Sequence, residues 1–292
     1  MNHVDLSARA KFWVTGSDRL RYLNGQLTND LNALVPRRAL YAFALTVKGK
    51  LAGDLYLREV NDAYLIDAPT PLRESLLGRL ERYVVADDVT FEDVTDRIGL
   101  WHFPQPLPPG DGSSSGIIRS GSNRYRREGT DLFFEEKPIL PAGTQPLDDA
   151  QAETLRVEAA FPCWGRELDE NVLPQEVGLD ALAISYTKGC YLGQEVVSRI
   201  KSIGHVNRQL VKLRLIEDAG LREGMALVAP DRPSVVAGTI TSVAPLPVED
   251  QRCALGFVRR ALSEAGTRLG VVGRPGSSGL IGVVEVCSLD AI

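Results

Sequence analysis

The apolar positions of the first hundred residues change repeatedly between the spacing of strands and the spacing of helices. Residues 12–14 alternate as in a strand, and leucines over 20–27 then recur on one helical face, behind Ser17 or Asp18 as N-cap. The region also predicts strands over 41–45 and 55–57 around the turn 48–50, a strand over 64–66, a helix over 72–80, and extended segments over 84–85 and 89–91. This mixture predicts an α+β unit rather than a doubly wound parallel sheet.

The pattern changes in the second half of the chain. Two connections, 104–116 and 138–147, precede a predicted helix from about Asp148 to Ala160, with Asp148 as its N-cap. After residue 205, short apolar runs separated by glycine and proline predict a small all-β barrel; the runs are 211–215, 226–228, 235–243, 254–258 and 280–286. We therefore expect two domains, an α+β core over 1–205 and a C-terminal β-barrel over 206–292.

Composition and charge narrow the classes of function. The chain has 292 residues, 44% of them hydrophobic, and a formal net charge of −5, so direct contact with nucleic acid or anionic membranes is not expected and any nucleic-acid contact would be indirect. The first residues lack the apolar core of a signal peptide, and no stretch is long enough to span a membrane, which predicts a cytoplasmic protein. The four cysteines are far apart and the three histidines scattered, so no disulfide scaffold and no metal site is predicted.

The most distinctive segment is 188–195, Lys-Gly-Cys-Tyr-Leu-Gly-Gln-Glu. It places the Cys190 thiol between two glycines, two residues from Lys188 and just before a predicted helix in which Glu195 pairs with Arg199. An ammonium group and the N–H dipoles of a helix both favour a thiolate, so we expect Cys190 to be an accessible nucleophile. The alternative explanation is a glycine-punctuated turn with a buried cysteine.

This segment resembles the Lys-Gly-Cys-Tyr-x-Gly-Gln-Glu signature of the YgfZ-type folate-binding proteins, which are relatives of the aminomethyltransferase (T protein) of the glycine cleavage system. All seven fixed positions match. Three other blocks are similar to that family in the same order: residues 16–30, 45–54 and 155–179. The resemblance implies an α+β, aminomethyltransferase-like, three-lobed folate-binding fold, with two intertwined subdomains followed by the C-terminal barrel around a central ligand hole.

The resemblance also implies a set of site residues. Asp54 falls where the aminomethyltransferases carry a catalytic aspartate beside the folate nitrogens, and a carboxylate there can stabilise cationic character on the reduced pterin. Glu158 falls where related proteins bind the pterin, whose ring N–H and amine fit a carboxylate through two parallel hydrogen bonds. The expected catalytic residues are Cys190 and Asp54, and the expected cofactor-binding residues are Asp54, Glu158, Lys188, Gly189, Tyr191, Gly193, Gln194 and Glu195. Taken alone, Asp54 also fits a turn residue and Glu158 a solvated helix glutamate.

Two groups of basic residues have alternative interpretations. Lys48 and Lys50 can meet the glutamate tail of a folate or simply lie on the surface. Residues 119–127 carry four arginines and Tyr125, which predicts a solvated strand or hairpin face; a site for a polyglutamate tail or RNA phosphate is the sharper alternative. His102, between Trp101 and Phe103, is expected to pack in a core or loop.

The resemblance implies an accessory protein that binds tetrahydrofolate, or a one-carbon derivative of it, and supports assembly or repair of iron–sulfur clusters in client enzymes, including tRNA-modifying ones. Its expected partners are folate and those iron–sulfur client enzymes. The alternative is a folate-dependent aminomethyl or one-carbon transferase of the T-protein type that uses Asp54, so the sequence leaves open whether the protein is an enzyme. A folate-linked oxidase or demethylase module is a third class, but such modules usually accompany a flavin-binding domain, for which the chain has no motif.

Overall fold

A computed structural model describes residues 1–108, 116–217, 220–229, 232–273 and 279–288. Most of the predicted loop over 104–116 lies outside the described residues. The α-helices are α1 (Arg19–Gln26), α2 (Arg73–Glu81), α3 (Asp149–Glu158), α4 (Asp180–Ala183) and α5 (Gln194–Ser202). The strands are β1 (Asn2–Asp5), β2 (Ala10–Thr15), β3 (Leu40–Leu45), β4 (Leu51–Val60), β5 (Ala63–Ala68), β6 (Thr90–Asp93), β7 (Gly99–Phe103), β8 (Ile117–Ser122), β9 (Gly129–Phe134), β10 (Gln145–Pro146), β11 (Arg208–Glu217), β12 (Ala226–Ala229), β13 (Arg232–Val243), β14 (Cys253–Arg259), β15 (Arg268–Val272) and β16 (Leu280–Val286). Short 3₁₀ helices cover Leu31–Ala33, Thr70–Leu72, Arg124–Arg126, Pro174–Val177 and Arg260–Leu262.

The chain divides into two structural units. The first unit contains residues 1–147, 169–174 and 179–199, and the second unit contains residues 148–168, 175–178 and 200–292. The first unit holds strands β1–β10, and the second holds helix α3 and strands β11–β16. Helices and antiparallel sheets therefore occur together, and the predicted α+β class is confirmed.

The first unit contains two five-stranded sheets. The order of one sheet is β3-β4-β5-β2-β6, and all of its neighbours are antiparallel. The order of the other is β10-β1-β7-β9-β8, in which the pairing of β1 with β10 is parallel and the rest are antiparallel. The chain leaves this second sheet after β1, builds the whole of the first sheet, and returns at β7.

Most of the predicted elements before residue 95 are confirmed. Strand β2, the hairpin of β3 and β4, strand β5 and helix α2 cover the predicted positions, and their apolar side chains are buried. Residues 84–85 are not a strand, because Val85 is exposed and takes no part in a sheet. The predicted cap of α1 is also wrong in detail: the Asp18 carboxylate accepts a hydrogen bond from the Asp88 N–H at 2.9 Å and not from the helix.

A buried group of charged side chains links the two sheets of the first unit. Arg58 on β4 donates to Asp67 on β5 at 2.8 Å and to Asp131 on β9 at 3.3 Å. Arg124 donates to Asp67 at 2.6 Å and to Asp131 at 3.0 Å, and His102 lies 2.9 Å from Asp131. Although burial alone would raise the pKa of Asp67 and Asp131, the nearby guanidinium of Arg124 holds both well below their usual range.

The second unit contains the predicted barrel. Six strands close in the order β11-β14-β13-β12-β15-β16 around a buried aliphatic core that includes Leu213, Leu227, Val258 and Val284. Helix α3 begins at the predicted N-cap, where Asp148 and Gln151 form a reciprocal capping box. Strand β15 is the one barrel strand among the described residues that the apolar runs did not predict.

Candidate functional site

Asp54 lies inside the first unit and not on its surface. It stands on β4 opposite Phe43 of β3, and its side chain is only 4% exposed. The Tyr41 hydroxyl donates a hydrogen bond to Asp54 Oδ2 at 3.1 Å. Asp54 Oδ1 is buried and has no hydrogen-bond partner among the residues that the structure describes. Burial raises the pKa of the Asp54 carboxyl above its ordinary value, although the positive charge of Arg9 opposes this shift.

The unpartnered oxygen gives Asp54 a chemical capacity. A buried carboxyl oxygen without a hydrogen bond is costly, and a ligand N–H placed against it would remove that cost. The raised pKa also lets the carboxyl exchange a proton nearer neutrality than an exposed aspartate. Asp54 therefore lies on a buried strand and not at a turn or cap, and its Oδ1 can accept a hydrogen bond from a ligand.

Tyr41 is a site residue that the sequence did not indicate. Its ring lies 4.7 Å from the ring of Tyr56, and the Arg124 guanidinium lies 4.1 Å above the Tyr56 ring. The buried charged group is thus joined to Asp54 through two aromatic rings. The signal in the sequence was weak, because a tyrosine at the start of an apolar strand is typical of ordinary core packing.

The signature segment 188–195 places its side chains in different environments. Cys190 and Gly189 are exposed, whereas Tyr191 and Lys188 are buried. The Lys188 ammonium group donates to the carbonyl oxygens of Asn24, Leu27 and Asn29, at 2.7, 2.9 and 2.6 Å. All three hydrogens of the ammonium group thus have backbone acceptors. The group therefore has no hydrogen left to donate to the Cys190 thiol or to a ligand.

Two glycines allow this segment to approach the β3–β4 hairpin. Gly193 has φ +85°, and a Cβ there would lie 2.5 Å from the carbonyl oxygen of Thr46. Gly49, at the hairpin turn, has φ +72°, and a Cβ there would lie 2.5 Å from Cβ of Val196. No other residue type fits these two positions without moving the backbone.

Helix α5 begins at Gln194, and the predicted pair of Glu195 with Arg199 is present at 2.9 Å. Val197 is the buried apolar residue of the helix, and Ile203 is 85% exposed beyond the end of the helix. Gln194 is half-buried, and Glu195 points into solvent. Glu195 therefore lies on the outward face of its helix.

Glu158 belongs to the second unit, where it is the last residue of α3 and half-buried. Its neighbour Arg156 is buried and donates to Glu167 at 3.0 Å and to the Ser242 hydroxyl at 2.6 Å. These bonds fix the C-terminal turn of α3, from which Glu158 projects. Burial raises the pKa of the Cys253 thiol on β14, with a further contribution from the negative charge of Glu158.

The arginine-rich segment 119–127 differs from its predicted form. The hairpin of β8 and β9 is confirmed, and Arg127 is exposed. Arg124, however, is buried against the carboxylates of Asp67 and Asp131, so the prediction of a solvated face is wrong for this residue. The two carboxylates supply the charge that makes its burial possible. Of the two lysines at the hairpin turn, Lys48 is exposed and Lys50 half-buried, and His102 is buried as predicted.

Over the described ranges, no three His, Cys, Asp or Glu side chains stand close enough together to hold a metal ion. No helix within the described part of the chain has the length and apolar character needed to cross a membrane.

The fold defines an aminomethyltransferase-like protein. The chain is similar to the crystal structure of the glycine cleavage system aminomethyltransferase T from Bartonella henselae, with a TM-score of 0.84 and 18% identity, over 99% of this chain and 85% of that chain. It is also 23% identical to the aminomethyltransferase of Clostridium botulinum, over 91% of this chain and 80% of that protein. The predicted fold class is confirmed.

The sequence identifies the family within this class. The chain is 30% identical to the tRNA-modifying protein YgfZ of Escherichia fergusonii, over 68% of this chain and 67% of that protein. It is 29% identical to the tRNA-modifying protein YgfZ of Colwellia psychrerythraea, over 71% of this chain and 69% of that protein. The sequence matches no family model. The chain belongs to the YgfZ family, as its signature segment predicted.

Proposed function

We propose that this protein is a tetrahydrofolate-binding accessory protein in tRNA modification, and that it supports assembly or repair of iron–sulfur clusters in client enzymes. The family supports the connection with tRNA modification, because its relatives carry the name tRNA-modifying protein. The observation that carries the folate proposal is the buried Asp54 carboxyl, with one oxygen bound by Tyr41 and the other without a partner among the described residues.

The proposed ligand fits the chemistry of these residues. Asp54 Oδ1 would accept a hydrogen bond from a pterin N–H, and Tyr41 would keep the carboxyl in the orientation that directs Oδ1 to the ligand. Gly189 offers room for close approach, because no heavy atom outside its chain neighbours lies within 4 Å of the position of its Cβ. When bound, the reduced pterin supplies a carrier for one-carbon units. From the family resemblance, Tyr191, Gly193, Gln194 and Glu195 in the first unit stay proposed folate-binding residues, and Glu158 in the second unit is proposed separately.

Cys190 would act apart from the folate chemistry. Its thiol is exposed in a loop that buried neighbours hold in place, so a partner protein can reach it. Thiolates are the preferred ligands of iron–sulfur clusters. A single thiol cannot retain a cluster, so we propose a transient contact with the cluster of a client enzyme. We place the protein in the cytoplasm, where thiols stay reduced.

The second candidate is a folate-dependent aminomethyltransferase. The fold favours it, and by resemblance Asp54 falls where the aminomethyltransferases carry a catalytic aspartate, although the glycine-rich lead-in to Asp54 differs from their pattern. The exposed Cys190 has no part in an aminomethyl transfer reaction. Turnover of an aminomethyl-loaded lipoyl carrier that depends on Asp54 and not on Cys190 would favour the transferase over the accessory protein.

Titration calorimetry with tetrahydrofolate tests the folate proposal. The wild type should bind, the Asp54→Asn variant should lose about tenfold or more in affinity because it loses a charge-assisted hydrogen bond, and Cys190→Ser should bind as the wild type does. Arg127→Met, which changes an exposed residue of the same unit, is the control. Equal affinity of the wild type and Asp54→Asn would contradict the proposal.

A further inference from the structure

The Lys188 ammonium group lies in a small cage of backbone oxygens. Lys188 is 9% exposed, and its ammonium group donates to the carbonyls of Asn24, Leu27 and Asn29. We call residues 24–29 the 24–29 segment. An ammonium group has three hydrogens, and each has one acceptor here. Burial lowers the pKa of Lys188 to about 8, while the nearby Asp30 favours the charged form. A buried cation needs such partners to be tolerated.

The carbonyls lie at and just beyond the C-terminal end of α1: Asn24 is in its last turn, Leu27 is its C-cap residue and Asn29 follows. Because α1 ends at Gln26, the carbonyl groups of its last turn lack N–H donors within the helix. Lys188 takes the carbonyls of Asn24 and Leu27, and the Leu192 N–H takes the carbonyl of Gly25 at 3.1 Å. A cation at this position also interacts favourably with the negative end of the helix dipole.

The same contacts fix the loop that carries Cys190. The Ser185 N–H donates to the Thr28 carbonyl at 3.0 Å before the loop, and Leu192 donates to Gly25 after it. Between them, the Lys188 N–H donates to the Ser185 hydroxyl at 3.3 Å. Cys190 and Gly189 are exposed between these attachments. The loop therefore keeps its shape through backbone bonds at both ends and through one buried ammonium group in the middle.

The 24–29 segment also reaches the Asp54 side of the unit. The Thr28 hydroxyl accepts from the Phe43 N–H at 2.9 Å, and Phe43 is the strand partner of Asp54. The Asn29 side-chain amide donates to the Tyr41 carbonyl at 2.9 Å, and Tyr41 binds Asp54. The segment that accepts the Lys188 ammonium group is thus continuous with the strand that orients Asp54.

We propose that Lys188 is a positioning residue: its ammonium group binds the carbonyls at and just beyond the C-terminal end of α1 and thereby fixes the exposed Cys190 loop relative to the strands that hold Asp54. The sequence assigned Lys188 to stabilisation of the Cys190 thiolate and to folate binding, and the geometry assigns it instead to the shape of the loop. The proposal rests on the proposed function only in that Cys190 is the residue positioned.

Hydrogen exchange on three variants tests the proposal. In Lys188→Met, the amides of Ser185 and Leu192 should exchange about tenfold faster or more. The three ammonium hydrogen bonds are absent in this variant, so local opening of the loop no longer has to break them. Lys188→Arg should be as defective, because a planar guanidinium cannot direct three hydrogens to these three carbonyls. Lys137→Met, a change of an exposed lysine in the same unit, should leave both rates unchanged. Wild-type exchange rates at Ser185 and Leu192 in Lys188→Arg would overturn the proposal. They would favour a purely electrostatic role for the positive charge at position 188.

Chemical rescue separates the cap from general damage to the fold. In Lys188→Ala, methylammonium should restore slow exchange at Ser185 and Leu192, because it carries three hydrogens into the vacated cage. Tetramethylammonium, which has no N–H, should not. The rate of Cys190 alkylation should follow the exchange rates across the series. Exchange at the wild-type rate in folded Lys188→Ala, or fast exchange that methylammonium does not slow, would also overturn the proposal. These readouts need neither folate nor a client, so failure of the proposed function would leave them unaffected.

Discussion

At the scale of single residues, the account depends on a carboxyl that is costly to bury. Asp54 keeps one oxygen on Tyr41, while the other has no partner among the described residues. Because burial raises its pKa, the folded protein binds this proton more tightly than the unfolded chain does. The contribution of Asp54 to stability is therefore fully present below its ordinary pKa of 3.8 and is lost as the pH rises through the raised value.

The variant Asp54→Asn tests this sign. Asparagine has nearly the same shape but no titrating proton, so the wild type should lose stability relative to the variant as the pH rises from 4 toward neutrality. Urea unfolding of both proteins at several pH values measures the difference in the free energy of unfolding. A difference that is constant with pH, or that moves in the opposite direction, would show that the carboxyl is not held in the environment described.

The site was only partly predictable at this scale. The family resemblance indicated Asp54 and Cys190 as site residues. In the structure, Asp54 is buried and Cys190 is exposed. Spacing alone did not indicate Tyr41, because the predicted hairpin fixed neither its register nor the direction in which the tyrosine hydroxyl points. The direction of the Lys188 side chain was also beyond prediction, because the helix end that accepts it is more than 150 residues earlier in the chain.

At the scale of elements, the two sheets of the first unit are held together by charge as well as by apolar packing. Arg58 and Arg124 share the carboxylates of Asp67 and Asp131 with no exposed group among them. Such a group is stabilising only while it is complete, since a charge left without its partner in the interior is very costly. Single charged residues within otherwise apolar strands were a weak indication of this group in the sequence.

Removal of one member should therefore have a large effect. We expect Arg124→Met to lower the free energy of unfolding by about 3–5 kcal/mol, because it leaves buried carboxylates uncompensated. The neighbouring Arg127→Met is a matched control on an exposed side chain and should change stability by about 0.5 kcal/mol or less. Urea unfolding at neutral pH compares the two variants. Equal effects of the two substitutions would contradict the role assigned to the buried group.

Whether an element could be predicted from the sequence depended on the regularity of its apolar positions. Strands β2 to β5 and the barrel strands except β15 carry regular apolar runs and were predicted, and the segment 119–127 predicted the β8–β9 hairpin, whereas β1, β7 and β10 were not predicted. Strand β7 carries His102 at a buried position, so its pattern does not match that of an apolar strand. The N-cap of α1 failed for a related reason: Asp88, 70 residues away, competes for the Asp18 side chain.

At the scale of the whole molecule, the fold followed from the family resemblance more than from local pattern. Local pattern predicted an α+β region and a barrel, and it could not predict that the chain leaves one sheet after β1 and returns to it at β7. Such an order depends on contacts between distant residues, which periodicity does not report. The signature segment predicted the family, since seven fixed positions within eight adjacent residues are seldom matched by chance.

The main proposal is that the protein binds tetrahydrofolate and uses the exposed thiol of Cys190 to support iron–sulfur client enzymes. The most direct measurement is the activity of an iron–sulfur tRNA-modifying enzyme in cells that lack the protein, complemented with the wild type or with Cys190→Ser. We predict that Cys190→Ser restores little client activity although it is folded and binds tetrahydrofolate as the wild type does. Restoration of full client activity by Cys190→Ser would contradict the account.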